Sequence, residues 1–277
     1  MIAQCDLDQY RDNGFLHPRP LLTAGEAGRY REACERSCIE AGPKPSRRQA
    51  ASRTKPYLLF PWAAELVRHP GLLDMVEALI GPDILVFHTT VWIKEGGSGS
   101  FVPWHQDGTY FGLEPLEQVT AWVALTESTR EMGCLRFLPG SHRDGQVQHR
   151  DHDDETLMLS RGQTVERGVD ESSAVPLEFA PGEVSFHHTM AMHSSGPNRS
   201  TRRRIGIGIS YIPAHVRHVT PVRLSASLVR GRDRWGHFDP EPRPGPGGGE
   251  AAEAVHADSL DRFWRASEFI PEMQGIH

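Results

Sequence analysis

The segment Val102–Tyr110, VPWHQDGTY, carries a histidine and an aspartate two positions apart, His105 and Asp107. On a strand, side chains at i and i+2 share a face, so this spacing lets an imidazole and a carboxylate converge on one point at the strand end. They would supply two of the three donors of a 2-His-1-carboxylate facial triad, which leaves open positions on Fe(II). The pair alone is a weak signal, because the chain has 15 histidines and His152-x-Asp154 repeats the spacing. A third donor has to come from a distant strand. The candidates are His187, His188 and His193 in FHHTMAMHSSGPNRS, with His193 leading into a polar turn. Beyond that turn, Arg204 opens the segment RIGIGISYIP. A planar guanidinium there suits a bidentate clamp on a carboxylate. Arg202 and Arg203 are its neighbours, and strand parity puts Arg202 and Arg204 on one face with Arg203 opposed.

These residues need strands to hold them. Ile84–Lys94 (ILVFHTTVWIK) is β-branched and aromatic, as are Gln118–Leu125 and the short Cys134–Leu138. Glu183–His187 follows a Pro-Gly step, and Arg204–Pro213 alternates with period two. Short strands bounded by Gly or Pro suggest a sandwich or barrel. Upstream, Leu22–Ala41 reads as a helix capped by Thr23, and Trp62–Leu79 as a second helix ended by Gly81-Pro82. The basic stretch 43–56 reads as a loop. The polar stretch 142–177, acidic at 151–155, reads as a surface loop or an active-site lid. The composition of 241–250 is that of a linker, and Ala257–Phe269 reads as a short amphipathic helix packing back on the domain. The expectation is one domain over 1–277, mainly β with helical decoration. It has a helical part at about 8–80, a core at about 83–217 and a C-terminal tail at 218–277.

The 30 basic and 36 acidic residues give a formal charge of -6, which argues against nucleic acid as a partner. No apolar run approaches the ~18 residues of a spanning helix, so no membrane partner is expected. Residues 1–10 lack the basic and apolar regions of a secretory signal. Four cysteines read as reduced thiols, with Cys34 and Cys38 able to share a helix face. Together these point to a cytoplasmic protein.

The order His105-x-Asp107, Trp122, GCLRFLPGSH (133–142), His193-SSGPN and Arg204 resembles the phytanoyl-CoA dioxygenase family of iron(II)- and 2-oxoglutarate-dependent oxygenases. The opening segment YRDNGFLHPRPLLTAGE (10–26) resembles that family too, and the resemblance covers roughly residues 8–217. It implies a double-stranded β-helix, a cupin-like jelly roll. It implies His105, Asp107 and His193 as iron ligands and Arg204 as the partner of the 2-oxoglutarate C5 carboxylate. Trp122 and Thr90 match positions that contact 2-oxoglutarate. The cofactors implied are Fe(II), 2-oxoglutarate and O2, with ascorbate a stimulant in some cases. The reaction implied is hydroxylation with release of succinate and CO2. Desaturation, epimerisation or cyclisation are alternatives on the same ligands. Asp107 argues against halogenation, since halogenating relatives carry a small residue there. Met132-Gly133 departs from the Asn-Gly that the family often has, a change expected to touch a turn and not the metal.

The partner expected is a small molecule, a polar metabolite or a natural-product intermediate, since no basic patch for coenzyme A lies beside the iron motif. Tyr110 and His88 are candidate substrate contacts. A cupin-type metal-binding protein and a zinc hydrolase are the competing classes. The first has no use for an Arg204–Trp122 clamp, and the second lacks an HExxH-like signature.

Overall fold

The computed structural model describes residues 2–38, 51–150, 156–159, 163–166, 168–246 and 248–270. The acidic run 151–155 and most of the basic stretch 43–56 lie outside the described residues. In chain order the elements begin with α1 (Gln4–Asn13), β1 (Arg19–Pro20), α2 (Ala24–Cys38), α3 (Pro61–Leu66) and α4 (Pro70–Ile80). Next come β2 (Ile84–Lys94), β3 (Val102–His105), α5 (Gly108–Phe111), β4 (Leu113–Glu114), β5 (Val119–Ala124) and β6 (Leu135–Phe137). The insertion contributes β7 (His149–Arg150), β8 (Thr164–Val165) and β9 (Val175–Leu177). The chain closes with β10 (Glu183–His188), β11 (His193–Ser195), β12 (Arg204–Pro213), β13 (Arg217–His218), β14 (Ser225–Arg230), β15 (Asp239–Pro240) and α6 (Glu250–Ser267).

One sheet runs β1-β10-β5-β12-β2-β14-β15 and a second runs β3-β11-β6-β9. Their pairings are antiparallel except at the β14–β15 edge. Trp122 and Ala124 of the first sheet pack with Leu135, Phe137 and Leu177 of the second, forming the inner layer of the jelly roll. The outer face of the large sheet buries Ile205, Ile207, Ile209 and Tyr211 with Val119, Ala121 and Val123 against α2, α3 and α4. Alternation along β12 therefore leaves Arg204, Gly206 and Gly208 facing inward.

The two long strands, Ile84–Lys94 and Arg204–Pro213, have the bounds expected from sequence, and the shorter ones lie within a residue or two of expectation. The helix expected over 62–79 is instead two, α3 and α4, broken before Pro70. Proline lacks the N–H a continuing helix needs and biases the residue before it away from the helical region. Thr23 does cap α2: its hydroxyl accepts from the Glu26 N–H, and the Glu26 carboxylate accepts from the Thr23 N–H. The C-terminal helix is longer than expected, and it docks on the strands through a buried polar cluster. Lys55 Nζ lies 2.7 Å from Glu241 Oε1 and donates to Ser259 of α6. Tyr57, Ser225 and Ser227 also donate to Glu241.

Removing one partner of a buried ion pair strands the other charge, a cost of roughly 3–5 kcal/mol. Glu241→Gln is therefore expected to lower the unfolding free energy by about 3 kcal/mol in urea titration. A loss under ~0.5 kcal/mol would show that the cluster does not seat α6.

Candidate active site

His105 ends β3 and His193 opens β11, and the two are register partners across that strand pair. Their ring centroids lie 4.1 Å apart. Asp107 is not on the strand: it occupies the N-cap position of α5, with φ -60 and ψ -36. The convergence expected from strand parity thus comes from a turn, which Gln106 fixes from within. Gln106 donates to the carbonyls of Gly145 and Met190, at 2.9 and 2.8 Å, and accepts from the Val147 N–H.

The three side chains form one donor set, with ligand atoms all within 4.8 Å of one another. Asp107 Oδ1 lies 3.6 Å from His105 Nε2 and 3.8 Å from His193 Nε2. Each imidazole is oriented from behind, with His105 Nδ1 2.9 Å from the Pro103 carbonyl and His193 Nδ1 3.0 Å from the Ala191 carbonyl. A carbonyl accepts only, so each Nδ1 carries the proton and each Nε2 presents a lone pair. Backing of this kind holds a metal-ligating histidine in the right tautomer. Burial lowers the His193 pKa well below the usual value, helped by the neighbouring His105, so it stands neutral. Burial alone would raise Asp107. The neighbouring imidazoles of His105, His187 and His193 outweigh it and hold the carboxyl well below its usual range. Two imidazoles and one carboxylate are a fitting donor set for Fe(II).

His187 also points inward, with Nε2 3.2 Å from Asp107 Oδ2. Thr120 donates to the same oxygen at 2.9 Å. These two contacts leave Oδ1 as the oxygen turned towards the paired histidines. The Thr120 contact was not foreseen, since a threonine in a strand carries no spacing signal. His188, the other member of the pair, faces away and accepts from the Met190 N–H.

At the inner end of the cavity lies Arg204, 1% exposed. It donates to the Gly133 carbonyl and to Ser195 Oγ, and its carbon centre lies 5.5 Å over the Trp122 ring. Its Nε is buried without a partner, and none of the described carboxylates pairs with it. Burial lowers its pKa to about 10. Arg202 pairs with Glu127 and Arg203 with Glu95, both at the surface. An uncompensated buried guanidinium on a cavity wall fits the distal carboxylate of 2-oxoglutarate. The Met132-Gly133 departure does fall in a turn, with Gly133 at φ 66, but that turn supplies the carbonyl that holds Arg204.

Gly206 lets Trp122 lie flat beside Arg204, since a Cβ there would come within 2.0 Å of the indole. Gly206→Ala is expected to cost about 1–3 kcal/mol of stability by overpacking. It should also weaken 2-oxoglutarate binding, measured by titration; an unchanged affinity would remove Trp122 from the pocket wall.

The cavity of about 190 Å3 joins these groups to Thr90, His88 and Tyr110. Met158 and Leu159 of the long insertion line it, as a lid would, and so do Phe263 and Trp264 of α6. Those two aromatics were missed, because nothing in the sequence links residue 263 to a motif 156 positions upstream.

A cupin-like jelly roll with this donor set defines a mononuclear non-haem iron oxygenase. The family model for phytanoyl-CoA dioxygenase (PhyH) matches residues 10–206, and the chain belongs to that family. It is 29% identical over 235 residues to peroxisomal phytanoyl-CoA dioxygenase of Bos taurus, covering 76% of this chain and 68% of that one. Among solved structures it is similar to the non-haem monooxygenase ThoJ, with TM-score 0.86, 32% identity, 96% of this chain and 99% of that one. It is also similar to the α-ketoglutarate-dependent epimerase SnoN of nogalamycin biosynthesis, with TM-score 0.62, 25% identity and coverage of 78% and 84%. The chain is thus an iron(II)- and 2-oxoglutarate-dependent oxygenase. No helix among the described residues is long and apolar enough to cross a membrane.

Proposed function

We propose that His105, Asp107 and His193 hold Fe(II), that Arg204, Trp122 and Thr90 hold 2-oxoglutarate, and that the enzyme hydroxylates a small metabolite or natural-product intermediate. The observation that carries this is the pairing of a backed His-Asp-His donor set with a buried, uncompensated guanidinium on one cavity wall. Iron and 2-oxoglutarate, when bound, supply the O2-activating chemistry, with succinate and CO2 as coproducts. The chain's own residues bind and orient. Pro103 and Ala191 fix the imidazole tautomers, and Thr120 and His187 fix the carboxylate rotamer. Ser195 and the Gly133 carbonyl aim the guanidinium, and Trp122 covers it from water. The similarity to an epimerase supports a second outcome on the same ligands, stereochemical inversion, which product analysis separates from hydroxylation. Free buried thiols at Cys34, Cys38 and Cys134 support a cytoplasmic location.

The test is anaerobic absorption spectroscopy of the purified protein with Fe(II) and 2-oxoglutarate. A weak visible charge-transfer band that requires all three components is expected. A folded protein that gives no band would overturn the assignment in favour of the metal-binding or zinc alternatives.

A further inference from the structure

The cavity has an inner and an outer part. The inner part is the donor set with Arg204 and Trp122. The outer part is walled by Tyr110 and Phe111 of α5, Met158 and Leu159 of the insertion, and Phe263 and Trp264 of α6. His88 packs against two of these rings, 4.7 Å from Phe263 and 5.3 Å from Phe111.

We infer that the substrate is an uncharged, ring-bearing small molecule held in this outer part, and that α6 selects it through Phe263 and Trp264. The inference rests on the assignment of the metal and 2-oxoglutarate positions above. Three observations carry it. The first is charge. Among the described lining residues, the formal charges are Asp107 and Arg204, and both belong to the inner part. The outer imidazole, His88, is kept neutral by burial and by the nearby Lys55, which lower its pKa to about 3. A carboxylate, phosphate or ammonium group entering here gives up its hydration and meets no counter-ion among the described residues. The second is surface chemistry: aromatic faces and a methionine favour a flat or alicyclic carbon skeleton through dispersion. The third is an unused polar group. His88 Nδ1 is buried with no hydrogen-bond partner, so the imidazole has bonding capacity left for a neutral hydroxyl or carbonyl.

The role of α6 follows from how it is seated. Ser259 receives Lys55 at 2.9 Å, and His256 Nε2 lies 2.8 Å from the Thr54 carbonyl. Phe263 comes one turn after Ser259 and is buried, whereas Trp264 is 43% exposed at the cavity mouth and edge-on to it. The helix lies beyond residue 206, where the family match ends.

The test uses the full chain with Fe(II) and 2-oxoglutarate under anaerobic conditions. The charge-transfer band is recorded first, so that a failed chelate counts against the metal-site assignment and not against this inference. Matched probes are then titrated by ligand-observed NMR and tryptophan fluorescence: 1-indanone, indane-1-carboxylate and 1-aminoindane, with the tetralin equivalents. Neutral members are expected to bind at least about tenfold tighter than their charged partners. Phe263→Ala and Trp264→Ala are expected to weaken that binding about fivefold or more while 2-oxoglutarate titrates as before. Trp264 is partly exposed, so its variant folds even if Phe263→Ala does not. Equal or tighter binding of the charged probes would overturn the inference. So would unchanged affinity in Trp264→Ala, or a band-positive protein that binds none of the neutral probes.

Discussion

Asp107→Ala is expected to lower kcat/KM by at least ~10^3-fold, about 4 kcal/mol of lost transition-state stabilisation. The substitution removes the sole carboxylate of the donor set, and the cluster then offers only imidazoles. Those keep their backing from Pro103 and Ala191, so the change falls on the metal and not on the fold. His105→Ala and His193→Ala should do the same. A graded companion is Thr120→Val, which keeps all three donors and removes the 2.9 Å hydrogen bond on Asp107 Oδ2. Loss of an outer contact of this kind costs roughly 10–100-fold in metal affinity or activity. Metal content after dialysis, read beside turnover, checks both. Normal iron retention and activity in any alanine variant would remove that residue from the centre.

Arg204→Lys should raise the KM for 2-oxoglutarate by about 30-fold or more with a smaller change in kcat, since losing one partner of a buried charge pair costs roughly 2–5 kcal/mol. An ammonium cannot fork onto a carboxylate, and it cannot at once reach the Gly133 carbonyl and Ser195 as the guanidinium does. Lys94 lies near, 2.7 Å from the same Ser195 oxygen, and burial beside Arg204 lowers its pKa to about 6. It therefore offers little replacement charge. Arg202→Ala is the control, because that side chain is exposed and paired with Glu127. Steady-state kinetics with 2-oxoglutarate varied decide the matter. An unchanged KM in Arg204→Lys together with a raised one in Arg202→Ala would move the clamp to the neighbouring residue.

Much of this was present in the order of residues along the chain. Strand β2 is a β-branched and aromatic run and β12 sets isoleucines at alternate positions, so each carries a local strand signal. The donor types, and the arginine after the polar turn, are local chemistry and legible as such. Strand parity sets Arg203 opposite Arg202 and Arg204, but sequence alone does not choose among the three; in the structure the isoleucines of β12 pack against the helices and Arg204 faces the cavity. Parity does not separate Arg204 from Arg202; their difference is that Arg202 lies before the strand, at the surface.

The tertiary structure decided what depends on long-range packing. The direction of His88 was undetermined from sequence. In the structure a bulge in the β2–β12 register, between Ser210 and Tyr211, breaks the alternation: Val86 faces the helices, while Phe87 and His88 both face away from them. Period-two counting fails at such a point. The position of Asp107 just beyond the strand, and the turn locked by Gln106, depend on carbonyls 39 and 84 residues away. The choice of His193 over His187 as the register partner of His105 is set by which strand pairs with β3. Part of the outer wall comes from α6, whose Ser259 joins a buried ion pair between residues 186 positions apart. Sequence by itself determined the chemistry available and the strands that carry it. Which groups share a cavity was decided by strand register and by buried polar contacts, because neither leaves a periodic trace along the chain.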